Sequence, residues 1–151
     1  MSGDSGQTRV AESSDWTDIV ALISMADLGL TISKVKKFIE DDLTNVTLLI
    51  LNDRLTGFAI SGAFIRDEVT LMHILVAADQ RRHGLGEKLL NENLGFWKKK
   101  GAERCLLELR ISNREAKNFY SKIGFVVDGF RPGYYSKNDS REDAILMSVP
   151  L

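Results

Sequence analysis

Two stretches of this chain carry residues whose types and spacing could do chemistry. The first is Arg81-Arg82-His83-Gly84-Leu85-Gly86. Glycines at 84 and 86 let a backbone approach a ligand with no Cβ in the way, and the free N–H groups of a helix starting there would point at phosphate oxygens. Arg81, Arg82 and His83 add positive charge. The run lacks the Gly-Lys-Ser/Thr of a nucleotide P-loop and the three-glycine spacing of a dinucleotide fold, which favours a diphosphate other than a nucleoside triphosphate. The competing reading is an ordinary strand-to-helix turn with solvated arginines. The second stretch is Leu106-Leu107-Glu108-Leu109-Arg110-Ile111-Ser112-Asn113, which sets a carboxylate inside an apolar strand. Desolvation raises a carboxylate pKa, and a general base works best with a pKa near the working pH. The alternatives for Glu108 are an exposed acid on a strand edge or a salt bridge to a neighbour such as Arg110. Farther on, Tyr120 is the one polar-tipped aromatic on its helix face, and its hydroxyl either reaches a ligand or is satisfied in the core.

The elements that must hold these groups are legible in the apolar pattern. Val69 to Val76 is dense in β-branched and apolar residues and reads as a buried strand leading into the glycine turn. After the turn, Leu85, Leu89, Leu90, Leu94 and Trp97 recur at helical spacing, and Gly101 is the stop. Arg104 to Arg110 reads as a strand. Asn113 to Ile123 reads as a helix, opened by the Ser-x-x-Glu capping box Ser112-Asn113-Arg114-Glu115 and ended by Gly124. Upstream, Thr8 to Ala11 predicts a short strand, Ser14-Asp15 caps a helix running through Met25, and residues 27–31 form a loop. A further helix starts near Ser33, with Val35, Phe38 and Ile39 on one face and Lys34, Lys36 and Lys37 solvated. Thr47 to Leu51 and Leu55 to Ile65 predict two strands joined through Asn52-Asp53-Arg54, and Phe125 to Phe130 and Ala144 to Val149 predict two more. Helices set among strands that include hairpins imply an α+β sheet with helices on both faces.

Composition narrows the class. With 151 residues and 44% hydrophobic content, one domain over residues 1–151 is expected, with a mobile polar lead over residues 1–6. A net charge of -1 makes the basic turn a local feature, so no nucleic-acid partner is indicated. The single cysteine, Cys105, has no partner for a disulfide or a cysteine metal site, which suits a reducing cytoplasm and predicts no metal. Neither a signal peptide nor a membrane span is expected.

Arg81-x-x-Gly84-x-Gly86, taken with Asn113 and Tyr120, resembles the acetyl-CoA signature of the GNAT superfamily of N-acetyltransferases, and the likeness covers nearly the whole chain. The resemblance implies an α/β/α sandwich around a mixed, mostly antiparallel sheet whose central pair of strands splays apart. It implies acetyl-CoA as cosubstrate. The pantetheine arm would lie in the gap, bonded to main-chain groups at Ile74, Leu75 and Val76, with the pyrophosphate on the turn Arg81, Arg82, His83, Gly84, Leu85 and Gly86. Asn113 would contact the cofactor, and Tyr120 would stand near the thioester sulfur, placed to protonate the leaving thiolate. A narrower resemblance lies in Leu107-Glu108-Leu109-Arg110-x-Ser112-Asn113, Phe119-Tyr120-x-x-x-Gly124-Phe125, Tyr134-Tyr135 and Arg141-Glu142-Asp143-Ala144. These are similar to the RimI-type members, bacterial enzymes that acetylate the N-terminal alanine of a small-subunit ribosomal protein. That likeness implies Glu108 as base, Tyr120 as acid, and direct attack of an amine on the thioester. Tyr134 and Tyr135 would then either line the acceptor groove or form a packed loop between the last two strands.

An α-amine suits a single tuned glutamate better than a lysine does. With pKa values of about 7.7 to 8.0 against 10.4, it costs roughly 3.5 kcal/mol less to deprotonate. The sequence also departs from the RimI pattern. Leu28-Gly29-Leu30-Thr31-Ile32 is plain where those chains carry an aromatic, proline-bearing loop, and Ala77-Ala78 stands where a proline is common. Two other readings therefore stay open: the same fold acetylating a lysine, polyamine, antibiotic or aminoacyl-tRNA, and a module that binds acetyl-CoA without turnover.

Overall fold

A computed structural model describes residues 6–26, 28–81 and 83–151. The polar lead expected over residues 1–6 falls outside the described residues except for Gly6, as do Asp27 of the first loop and Arg82 of the basic turn. Seven strands form one sheet in the order β1-β2-β3-β4-β5-β7-β6. They are β1 (Gln7–Val10), β2 (Thr44–Leu51), β3 (Arg54–Ile65), β4 (Glu68–Val76), β5 (Arg104–Arg110), β6 (Val126–Lys137) and β7 (Ser140–Pro150). The helices are α1 (Trp16–Ile23), α2 (Ile32–Glu40), α3 (Leu85–Lys99) and α4 (Arg114–Ile123). All strand pairs are antiparallel except β4 with β5.

The parallel pair is where the fold opens. It is joined only over Glu68–Thr70 against Arg104–Leu106, and beyond Thr70 and Leu106 the two strands are no longer paired. On the other side of β4, pairing with β3 continues to Gly57 and Val76, interrupted by a bulge at Met72 between the Ile60–His73 and Ser61–Leu71 pairs. A bulge sharpens local twist, so β4 turns away from β5 while it stays zipped to β3. The splay implied by the family resemblance is present.

Each face of the sheet is covered. On one, α3 and α4 press Leu90, Leu94, Trp97 and Tyr120 against Val69, Leu71, Cys105, Leu107 and Leu109. On the other, α1 and α2 press Ile19, Leu22, Ile23 and Val35 against Val46, Leu48, Phe58, Ile60 and Leu75. Each large apolar side chain buried in this way stabilises by about 1.5–3 kcal/mol. Helix α3 is also tied down by polar groups. The Asn93 amide, fully buried, donates to the Asn45 and Ala59 carbonyls and to Thr47 Oγ1, and Ser61 links Asn93 to the Trp97 indole.

The structure corrects three local expectations. Asp15 does not cap from outside the helix; its carboxylate reaches back to the Glu12 N–H at 2.7 Å and grips both Arg9 nitrogens, which holds it below the usual carboxylate range. The capping box at Ser112 does not form. Instead Asn113 is the cap, its side chain accepting from the Ala116 N–H at 3.1 Å. The last two strands run well past their expected ends, so Tyr134 and Tyr135 lie inside β6 and not in a loop. A tight turn at Asn138 and Asp139, both at positive φ, closes that hairpin. Its polar, short-period sequence hid the strand, because exposed strand ends lack apolar alternation.

Candidate active site

The cofactor side of the site is built from backbone. Strand β4 runs through Ala77 into a short 3-10 turn, Ala78–Gln80, and the chain then reaches Gly84, the N-cap of α3. Gly84 sits at φ 74°, a left-handed conformation that a side chain would strain, and a Cβ there would point into open space. The first-turn N–H groups of α3 after it have no acceptor within the helix and face outward, as an anion needs. Gly86 has a packing task that its spacing did not suggest. A Cβ on it would meet the Phe119 ring at 3.2 Å, so its bareness lets α4 close on α3. The Leu85 side chain is buried with Leu49, Leu51, Ala59 and Leu89, which leaves only its N–H for a ligand. His83 is exposed.

Along β4, alternation of the antiparallel ladder decides which main-chain groups face the gap. The Ala77 N–H donates to the Thr56 carbonyl at 2.7 Å, and the Leu75 carbonyl lies against Gly57 of β3. Leu75 is therefore committed to β3, while Ile74 and Val76 present their N–H and carbonyl groups to the open edge. Of the three residues expected to bond the pantetheine arm, two have their main chain turned the right way. The Val76 carbonyl accepts from Arg81 Nε at 3.0 Å.

The acceptor side is built from side chains. Strand β5 alternates: Cys105, Leu107 and Leu109 are buried under α3 and α4, and Glu108 and Arg110 project from the opposite face. Glu108 lies just past the last residue paired with β4, and its side chain keeps 29% of its exposure. Its partner is Arg131 Nη2 of β6, at 3.3 Å, not Arg110. Arg110 instead pairs with Glu142 at 3.4 Å and stacks over the Tyr135 ring at 4.5 Å. Tyr134 meets Tyr135 edge-on at 5.0 Å, and Arg131 lies over the Tyr134 ring. Glu108 and Glu142 both disfavour ionisation of the half-buried Tyr135 phenol, whose pKa burial has already pushed up.

The run Glu142-Asp143-Ala144 has a physical reading here. Glu142 accepts the Ser112 N–H at 2.7 Å, which holds its carboxyl below the usual range and pins the loop between β5 and α4. Asp143 accepts the Gly133 N–H at 2.8 Å and fixes the bulge in β6. Ala144 is fully buried between Arg110 and Arg131 in the ladder. Arg131 was invisible to sequence reasoning, because the bulge at Asp128 sets which of its neighbours share its face.

Tyr120 stands across the sheet from Glu108, packed with Cys105, Leu107 and Leu109 and edge-on to Phe119 and Phe125. Burial raises its phenol pKa well above the ordinary value, with Cys105 adding to the shift, so the hydroxyl keeps its proton. The Cys105 thiol is fully buried and pushed up to about 12 by desolvation, which makes it a core residue and no nucleophile. Asn113 spends its side-chain oxygen on capping α4, leaving its amide nitrogen as the group that could meet a ligand. Among the described residues, no three His, Cys, Asp or Glu side chains gather as a metal-ligand set, and no helix is long and apolar enough to cross a membrane.

Known proteins share this fold. A family model described as an acetyltransferase (GNAT) domain matches residues 42–127. The ribosomal protein bS18-alanine N-acetyltransferase of Escherichia coli is 39% identical over 103 residues, which is 68% of this chain and 69% of that protein. The enzyme of the same name from Haemophilus influenzae is 38% identical over 104 residues, 68% of this chain and 70% of that one. In three dimensions, the crystal structure of the Escherichia coli ribosomal-protein-S18-alanine N-acetyltransferase superposes with a TM-score of 0.85 at 29% identity, covering 96% of this chain and 93% of that one. A family match over residues 42–127, and relatives this similar over two thirds of the chain, converge on one assignment: the chain belongs to the GNAT family of acetyltransferases.

Proposed function

We propose that this chain transfers the acetyl group of acetyl-CoA to the N-terminal α-amine of a protein, and that its acceptor is the N-terminal alanine of a small-subunit ribosomal protein, as the names of its relatives state for them. The observation that carries the reading is the splay between β4 and β5, with Glu108 beside it on one face of the sheet and Tyr120 on the other. A thioester lying in that gap would offer its carbonyl carbon to an amine on the Glu108 side and its sulfur to a hydroxyl on the Tyr120 side.

Acetyl-CoA supplies an activated acyl carbon and a thiolate leaving group. The chain supplies the rest. Ile74 and Val76 hold an amide arm along the strand edge, and the first-turn N–H groups of α3 after Gly84 take the pyrophosphate, with the arginines of the turn supplying positive charge and His83 a further contact. Asn113 donates from its side-chain amide. On the acceptor side, Tyr134 and Tyr135 line the groove. Glu108 takes the proton lost by the α-amine, directly or through water, as the new C–N bond forms. As the C–S bond breaks, the Tyr120 hydroxyl, kept protonated by burial, passes its proton to sulfur. With Cys105 inert, attack is direct and no acyl-enzyme forms. No metal takes part. A lone, buried, reduced thiol suits a cytoplasmic enzyme.

The test is thiol release from acetyl-CoA, read with mass spectrometry on matched peptides beginning Ala-Arg, with the α-amine free or blocked. Acetyl on the free terminus alone is expected. Modification of lysine in the blocked peptide, or preference for a small free amine, moves the activity to another acceptor class. Cofactor binding with no transfer to any amine makes the chain a binding module.

A further inference from the structure

We infer that Arg81 sets the cofactor selectivity of this site: its guanidinium covers the Val76 carbonyl that an extended amide arm would use, and yields it to a ligand that also carries phosphate. The inference rests on the acetyl-CoA reading above. Past Thr70, strand β4 has no neighbour on its β5 side, and the Val76 main chain faces that open edge. An open strand edge invites any extended chain to add itself by main-chain hydrogen bonds. Here the edge is not bare. The 3-10 turn Ala78–Gln80 folds the chain back so that Arg81 Nε donates to the Val76 carbonyl at 3.0 Å.

The same side chain stands three residues before Gly84, at the head of α3. It therefore lies between two acceptors of unequal strength: a neutral carbonyl, and whatever anion settles on the helix N-terminus. A guanidinium bonds phosphate more strongly than a neutral carbonyl, and does so bidentately. A ligand with both an amide arm and phosphate offers Arg81 a better partner and inherits the carbonyl. A ligand with the arm alone has to break the Arg81 bond and gives nothing back. The consequence is discrimination against short pantetheine thioesters beyond the loss of their phosphate contacts.

Binding of coenzyme A and of pantetheine to the wild-type chain and to Arg81→Ala, followed by two-dimensional NMR titration, separates the possibilities. Arg81→Ala should bind coenzyme A more weakly but pantetheine about three- to tenfold more tightly, the size of one ordinary net hydrogen bond at an exposed site. Arg81→Lys, which loses the planar fork but keeps the charge, should also gain on pantetheine. If pantetheine binds the Arg81→Ala chain no better than wild type, Arg81 is a phosphate contact only and the inference is wrong. Because this readout needs no turnover, a chain that binds coenzyme A yet acetylates nothing would refute the proposed activity and leave the selectivity standing. Failure of coenzyme A itself to bind wild type would refute both.

Discussion

The two banks of the gap are made differently. The β4 bank offers main chain: a left-handed Gly84, the first-turn N–H groups of α3, and the Ile74 and Val76 edge. The β5 bank offers side chains, with Glu108, Arg110, Arg131, Tyr135 and Glu142 drawn from three strands into one charged and aromatic cluster. Main-chain recognition tolerates changes of side chain, so on the proposed reading Ala77-Ala78 would leave the β4 bank able to hold the cofactor. Side-chain recognition does not tolerate them, so on the proposed reading the β5 bank is where one acceptor would be told from another.

If that contrast is right, substitutions on each bank should separate cleanly in kinetics. The largest effect belongs to Glu108→Gln, which should lower kcat roughly 10²–10⁴-fold, the usual range for losing a general base, with cofactor affinity unchanged. Full activity across pH in steady-state assays would remove Glu108 from its role. Next, Tyr120→Phe should cost about 10²-fold in kcat, at the low end of the same range. Because burial raises the Tyr120 phenol pKa, its acid form persists as pH rises; the wild-type pH–rate profile should show no loss from this group in the ordinary tyrosine range near about pH 10. A basic limb below that, abolished in Tyr120→Phe, would contradict the assignment.

Smaller effects test the contrast itself. Gly84→Val forces a β-branched residue to φ 74°, a strain of about 1–2 kcal/mol, and should raise the KM for acetyl-CoA about tenfold without touching that for the peptide. Tyr135→Ala should do the reverse, raising the peptide KM about two- to tenfold through the lost ring contacts, with the acetyl-CoA KM unmoved. If either variant shifts both constants together, the banks are coupled and the division between main-chain and side-chain recognition fails.

Local signals made much of this legible. Leu85, Leu89, Leu90, Leu94 and Trp97 marked the buried face of α3, Arg104 to Arg110 was read to the residue as β5, and Asn52-Asp53 was seen as a hairpin turn. Glu108 and Tyr120 stood out because a carboxylate in an apolar strand and a phenol on an apolar helix face are chemically conspicuous. The ends of β6 and β7 were missed because Pro132 and Gly133 interrupt the strand pattern of β6 and Ser140 to Asp143 of β7 are polar on both faces. The packing of Gly86 against Phe119 was not legible, since spacing cannot distinguish a close approach by phosphate from a close approach by a ring.

By itself the sequence determined the periodicity of each element, the glycine turn at the head of α3 and the identity of the reactive groups, because these depend on residues within a few positions of one another. Only the tertiary structure decided that Glu108 pairs with Arg131 and Arg110 with Glu142, that Leu75 turns to β3 while Ile74 and Val76 face the gap, and that Arg81 lies on the Val76 carbonyl. Those choices follow from ladder register and from irregularities in it: bulges at Met72 and Asp128 each add one residue to a strand and shift which side chains share a face, and the break at 132–134 adds two.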